Sequence, residues 1–296
     1  MDLGAFTNAK WEADVAAVYK MVDGVSLPIH FFFPADGSSG GLRPAVVCIH
    51  GGSWRARTDN SPWDGGLMAP QARYFASRGC VGITISYRDF PPPGLPRESG
   101  TPQPMLADLI SDCRDAIRYI AGHGHAYGID PQRIAVIGDS AGGHLAASLA
   151  TMGNTGEAGR VCAAIACNAI MDLTDPKWLP YAVGSGTGVQ DAIQAAVDVS
   201  PLYHVGPGMV PMLVMHGLAD DCVSPSHSIR FSEKMKQCQN RCDLVLFPNT
   251  GHAFIIAGYT ATDRQIADAM YAAEDFLTSL GFFDGCLEQD GGADKQ

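Results

Sequence analysis

The chain has 296 residues, close to the size at which a single hydrophobic core stops growing, so one large fold is expected before two small ones. It is 46% hydrophobic and 17% charged, too apolar for disorder, and its 34 glycines and 19 prolines follow neither a collagen nor a coiled-coil pattern. A formal charge of −11 argues against nucleic acid or an anionic membrane surface as a partner and favours a neutral or cationic small substrate.

In chain order, residues 15–22 and 28–33, split by Asp23-Gly24, read as an antiparallel hairpin. Short β-branched runs at 45–49, 81–86, 134–137, 161–167, 212–215 and 244–247 then alternate with amphipathic stretches at 67–78, 105–123, 141–152, 190–197, 225–238 and 262–280. That alternation predicts an α/β class with a mostly parallel sheet of about eight strands flanked by helices. In the last helix Ile266, Met270, Ala273, Leu277 and Leu280 form one apolar stripe facing the sheet. Residues 35–42 read as a Gly- and Ser-rich surface turn, and the proline-dense stretch 89–104 as a long functional loop. Residues 168–208, with one short helix, read as a small cap or insertion over the C-terminal edge of the sheet. The expected organisation is one domain over 1–284 and a polar tail over 285–296.

No apolar run is long enough to span a bilayer, and the first residues lack a signal-peptide pattern, so a cytoplasmic location is expected, or a secreted one had a leader been trimmed. Nine cysteines without a Cys-x-x-Cys pair, and a His123-Gly124-His125 pair without a cysteine at ligand spacing, predict no metal. Nothing in the composition specifies an oligomeric state.

Gly-x-Ser-x-Gly occurs twice. Gly37-Ser38-Ser39-Gly40-Gly41 follows no strand and opens no helix, so Ser39 is read as part of a flexible loop. Gly138-Asp139-Ser140-Ala141-Gly142-Gly143 lies between a strand and a helix, the context of a nucleophile elbow, which makes Ser140 the candidate nucleophile. Small residues are needed there because the turn is strained and neighbouring chains pass close by. Upstream, the strand 45–49 runs into His50-Gly51-Gly52-Ser53-Trp54, a loop whose bare backbone suits an oxyanion. The amides of Gly52 and Ser53, with that of Ala141, are the candidate oxyanion hole, and Gly51 is an alternative donor. The base and its orienting carboxylate should follow on loops after later strands. Asp220, in preference to Asp221, and His252 occupy those loops. His216, His144, His30, His50, His204 and His227 default to structural roles.

The anchors His50-Gly51-Gly52-Ser53-Trp54, Ser86-Tyr87-Arg88, Gly138 to Leu145, His216-Gly217-x-x-Asp220-x-x-Val223 and Gly251-His252 resemble, in this order, the α/β-hydrolase superfamily over residues 27–281. Within it the chain is similar to esterases near hormone-sensitive lipase and to the acetyl-xylan and feruloyl esterase-like group. Two features depart from hormone-sensitive lipase itself: Ser53 stands where a third glycine would be, and only about 14 residues precede the first strand, so large N-terminal cap helices are not expected. Trp54 after the oxyanion loop also looks like kynurenine formamidase. The resemblance implies a cofactor-free serine carboxylesterase acting on a short-chain acyl ester, a small molecule or an acetyl or feruloyl group on plant polysaccharide. Trp54 and the segment 178–188 are placed to flank the oxyanion hole and the acyl group, with plain packing the alternative for Trp54 and Trp178, and 90–96 is placed on the alcohol side. An amidase or peptidase with the same triad is the runner-up, and a ligand-binding scaffold without catalysis is the third reading.

Overall fold

The computed structural model describes residues 12–35, 41–55, 66–90, 104–152, 159–182 and 188–283. The Ser39 motif, residues 91–103 of the proline-dense loop and the C-terminal tail lie outside the described residues.

Eight strands form one sheet: β1 (Val15–Val22), β2 (Val25–Phe32), β3 (Arg43–Ile49), β4 (Val81–Ile85), β5 (Ile129–Asp139), β6 (Ala163–Cys167), β7 (Met212–Gly217) and β8 (Cys242–Phe247), in the order β1-β2-β4-β3-β5-β6-β7-β8. β1 and β2 pair antiparallel, β2 pairs antiparallel with β4, and every pairing from β4 to β8 is parallel. This is the α/β-hydrolase arrangement, and the turn between β1 and β2 uses Asp23 (φ 51°) and Gly24 (φ 76°) as the hairpin requires.

The parallel strands are buried on both faces, and their side chains alternate between two cores. Val47, Ile49, Val81, Ile83, Ile85, Ile134 and Val136 point to one, Val46, Cys48, Ala135, Ile137, Ile165 and Leu213 to the other. The first core is covered by α2 (Leu106–His123), α3 (Ala141–Thr151) and α7 (Ser226–Gln237), the second by α1 (Ala69–Ser77) and α8 (Asp263–Thr278). Close docking of α1 depends on Gly82, where a Cβ would stand 2.0 Å from the Ala72 carbonyl oxygen. The apolar stripe read on the last helix is buried at Ile266, Met270, Ala273 and Leu277.

Two elements differ from expectation. β5 begins at Ile129 rather than near 134, because Arg43 pairs with Ile129 before a register shift carries residues 130–133, including Pro131, past the ladder. Among the described residues between β6 and β7 lie three short helices instead of one: α4 (Leu179–Ala182), α5 (Val189–Asp198) and α6 (Pro201–His204). Two of them have four residues, too few for a helical period to show.

Register sets where chemistry can occur. Ile49 is paired with Gly138 on one side and Ile85 on the other, so β3, β5 and β4 all end at one level. Loops leaving them are forced together at the C-terminal edge of the sheet. No helix among the described residues is long and apolar enough to cross a membrane.

Candidate active site

Ser140 sits between β5 and α3 at φ 54°, ψ −118°, a conformation that side chains rarely adopt. The elbow holds it there through backbone contacts: the Ser140 N–H donates to the Cys167 carbonyl at 2.8 Å, and the His144 N–H donates to the Ser140 carbonyl at 3.0 Å. The glycines around it are explained by neighbours. A Cβ at Gly138 would meet the Gly142 carbonyl oxygen at 2.1 Å, and one at Gly142 would meet the carbonyl oxygens of Ile49 and His50 at 2.1 and 2.5 Å.

Ser140 Oγ lies 2.9 Å from His252 Nε2, and His252 Nδ1 lies 2.8 Å from Asp220 Oδ2. His252 hangs on the loop after β8 and Asp220 on the loop after β7, which touch because Gly217 admits the Thr250 carbonyl, where a Cβ would be 2.2 Å away. Asp220 Oδ1 accepts the N–H groups of Cys222 and Val223 at 2.8 Å each, and its Oδ2 is also 3.2 Å from His216 Nε2. Burial raises the pKa of Asp220, but the hydrogen bonds from His216, His252 and the Val223 amide outweigh it and hold the carboxyl well below the ordinary carboxylate range. For His252 burial works against the charged form, yet bonding to Asp220 and Cys222 and the nearby Asp139 and Asp220 carboxylates raise its pKa above the ordinary imidazole value. The bond to Asp220 fixes which ring nitrogen faces the serine, the geometry of a nucleophile with an oriented base.

The loop His50–Arg55 passes directly over the elbow. A Cβ at Gly51 would stand 2.7 Å from the Asp139 carbonyl oxygen and 3.1 Å from Ser140 Cβ. Three consecutive residues, Gly52 (φ 105°), Ser53 (φ 55°) and Trp54 (φ 56°), take positive φ, which curls the loop around the serine. Its shape is supported from the segment after β4: Tyr87 Oη–H donates to the His50 carbonyl at 2.8 Å with its ring stacked on His50, and the Phe90 N–H donates to the Trp54 carbonyl at 2.7 Å. Arg88, next to Tyr87, is clamped by buried Asp112 through Nε at 2.8 Å and Nη2 at 3.1 Å. Ala141 opens α3, where the first amides have no intrahelical acceptor and the positive end of the helix dipole lies.

A cavity of about 150 Å³ opens onto these groups, lined by Gly51, Gly52, Ser53, Ser140 and His252 together with Leu67, Asp139, Cys222, Ala253, Ile256 and Tyr259. Sequence reading brings the first five together and misses the others. Asp139 and Cys222 carried a signal in their spacing to Ser140 and Asp220, whereas the residues after His252 carried none. Asp139 is fully enclosed; burial, partly offset by the His252 charge and the Asn168 amide, raises its pKa to about 6.

The expected pocket walls are corrected. Trp54 is 0% exposed and Trp178 4%, and neither lines the cavity. Their rings pack at 6.2 Å, nearly perpendicular, and Trp54 also meets His144 at 5.3 Å and Tyr181 at 5.2 Å. The positive φ at Trp54 turns its side chain into the first core, beneath the helices that follow β6. The other histidines hold structure: His144 donates from Nε2 to the Val199 carbonyl at 2.8 Å and is kept neutral by burial, with a pKa near 4. His216 joins Val223 and Ser228, and His227 Nδ1 accepts from the Met171 and Asp172 amides.

A family model described as BD-FAE matches residues 30–235 of the chain. Among solved structures, esterase 2 of Thermogutta terrifontis, phosphoramylated by tabun, is 30% identical with a TM-score of 0.76, covering 94% of this chain and 98% of that one. The butyrate-bound form of the same esterase is also 30% identical, at a TM-score of 0.76 and coverage of 93% and 98%. The chain is 28% identical over 257 residues to the probable carboxylic ester hydrolase LipM of Mycobacterium tuberculosis, 81% of this chain and 55% of that protein. It thus spans about half the length of that relative, and 24% of a rice protein described as a probable isoprenylcysteine alpha-carbonyl methylesterase, to which it is 32% identical over 119 residues, 40% of this chain.

Proposed function

Because the chain belongs to the BD-FAE family of α/β-hydrolase serine esterases, we propose that it is a serine carboxylesterase that cleaves short-chain acyl esters through an acyl-enzyme. The observation that carries this reading is the continuous chain Ser140 Oγ, His252, Asp220, at 2.9 and 2.8 Å. Ser140 Oγ attacks the ester carbonyl while His252 Nε2 takes its proton. The tetrahedral oxyanion is held by amides of Gly52 and Ser53 and by that of Ala141, which gains from the N-terminus of α3. His252 then returns the proton to the departing alcohol, and water repeats the sequence on the acyl-Ser140 ester. Asp220 keeps the imidazole in its working tautomer and stabilises the imidazolium.

The acyl group is proposed to be short, of two to four carbons, since the cavity holds only about 150 Å³. The propionate- and butyrate-bound forms of the Thermogutta terrifontis esterase support the same range. Acetyl groups on plant polysaccharide would supply such esters, whereas a feruloyl group, with ten carbons, exceeds the proposed range, and the acidic chain favours neutral substrates over polyanions.

Two measurements test the reading. A fluorophosphonate should label the wild type and not Ser140→Ala, whereas Ser39→Ala should label normally; retained labelling of Ser140→Ala would overturn the assignment. Across p-nitrophenyl esters from acetate to laurate, kcat/KM should peak by butyrate, and a steady rise toward laurate would refute the small acyl site.

A further inference from the structure

Resting on the esterase reading above, we propose that the leaving alcohol is seated on the His252 side of the cavity against Cys222, Ile256 and Tyr259, and that Tyr259 is a stacking platform for a ring-bearing alcohol.

The side follows from proton transfer. The group that leaves must receive its proton from His252 Nε2, so its oxygen lies within hydrogen-bond reach of that nitrogen, between Ser140 and the loops that follow Asp220 and His252. Those loops supply Cys222 from one and Ala253, Ile256 and Tyr259 from the other to the wall of the cavity. The opposite wall is the oxyanion loop, Gly51 to Ser53, which takes the carbonyl oxygen.

Tyr259 stands out on that wall. At 68% exposure it is the most exposed large hydrophobic or aromatic side chain among the described residues, yet it borders the cavity that holds Ser140 and His252. Its loop is anchored rather than loose. Phe254 and Ile255 are fully buried, Gln71 donates to the Ile255 carbonyl, Ile256 N–H closes a turn on Ala253 O at 3.0 Å, and Thr260 Oγ1–H donates to the His252 carbonyl. Gly258 (φ 73°) then reverses the chain so that the next ring projects at the rim. An aromatic ring at the rim beside the leaving-group position, with Ile256 and Cys222 lining the same cavity, presents a flat apolar surface with a phenolic edge, which suits a six-membered ring, aryl or pyranose, over a small alkyl alcohol.

The experiment uses the full chain and three acetyl esters with a common acyl group: ethyl acetate, benzyl acetate and methyl 6-O-acetylglucopyranoside. Tyr259→Ala is expected to raise KM for a ring-bearing ester about threefold to tenfold with kcat held, to leave ethyl acetate within twofold, and to be rescued by Tyr259→Phe for benzyl acetate. A KM effect confined to benzyl acetate identifies the occupant as aryl; one confined to the glucoside identifies it as a sugar. Equal effects on all three esters, no effect on any, or a Phe variant as impaired as Ala on benzyl acetate would overturn the proposal. Failure of the wild type to hydrolyse any of the three would overturn the esterase reading and this inference with it, an outcome distinct from normal ethyl acetate turnover without ring dependence.

Discussion

Gly142→Ala tests whether the elbow and the proposed oxyanion loop act as one unit. Gly142 is the residue on which the end of β3 rests, and the added methyl would stand 2.1 Å from the Ile49 carbonyl oxygen and 2.5 Å from that of His50. Both are backbone atoms, one at the end of a strand paired on both sides and the other in the residue that follows it, so no side chain can rotate away. Ordinary contact begins near 3.4 Å, so the start of α3 and the loop His50–Ser53 must separate by roughly 1 Å. Overpacking of this kind costs about 1–3 kcal/mol of stability. The larger effect is on rate: a displacement of about 1 Å between nucleophile and oxyanion donors is expected to lower kcat about 10²-fold, with KM little changed. The assay is p-nitrophenyl butyrate hydrolysis, normalised to the fraction of chains that a fluorophosphonate labels at saturation, with urea unfolding alongside. Gly122→Ala is the control, since nothing lies within 4 Å of a Cβ there and the position is in the last turn of α2. It should leave activity unchanged and stabilise by up to about 1 kcal/mol. If Gly142→Ala retains kcat within threefold per labelled chain, the coupling of loop and elbow inferred from these contacts is wrong.

Asp220→Asn removes the main support for the raised His252 pKa and is expected to cut kcat about 10⁴-fold. With His252 as the proposed base, only its neutral form can accept the serine proton, so the acid limb of kcat/KM should lie above pH 6.5 in the wild type and move to lower pH in the variant; an unmoved limb would contradict the assignment. Tyr87→Phe leaves the His50 carbonyl without its 2.8 Å donor and should reduce kcat about tenfold at constant KM, which steady-state kinetics per labelled site will detect. Asp139 holds its proton more tightly folded than unfolded, so its stabilising share is present below pH 3.8 and is lost as pH rises through about 6. Asp139→Asn should flatten that decline, measured as the urea midpoint at pH 4 and pH 8, and an unchanged pH dependence would refute the burial argument.

What could be read from the residues was whatever a local pattern encodes. The strand-turn-helix context separates Ser140 from Ser39 although both satisfy Gly-x-Ser-x-Gly, because only one has an apolar run before it and a helix after it. Spacing also brings out His252 and Asp220, since loops after parallel strands share one edge of the sheet. Spacing left Trp54 open between pocket wall and core packing, because the sign of φ at one loop residue decides which way an indole faces. Tyr259 was invisible because its importance depends on a turn at Gly258 and on the path of a loop with no periodicity. β5 extends beyond the apolar run 134–137 because Ile129 pairs with Arg43 before a register shift, which no local pattern encodes.

The environment of Asp220 also decides where the serine proton stops in the proposed reaction. One carboxylate oxygen receives two backbone amides at 2.8 Å, and the other faces two imidazole nitrogens at 2.8 and 3.2 Å. Protonating the carboxyl would therefore forfeit at least one charge-assisted bond in a site from which water is largely excluded, and nothing nearby would replace it. Transfer beyond His252 is uphill, while the imidazolium gains from the same carboxylate that would have to be neutralised. The second imidazole, His216, is buried against Ser228 and Val223 on the far side of Asp220, so it contributes by keeping the carboxylate oriented. His216→Asn should accordingly weaken the set without abolishing it: kcat falls by about tenfold, the acid limb stays with His252, and Asp220→Asn in the same background adds less than it does alone. Full additivity of the two substitutions would mean that His216 acts through some other contact.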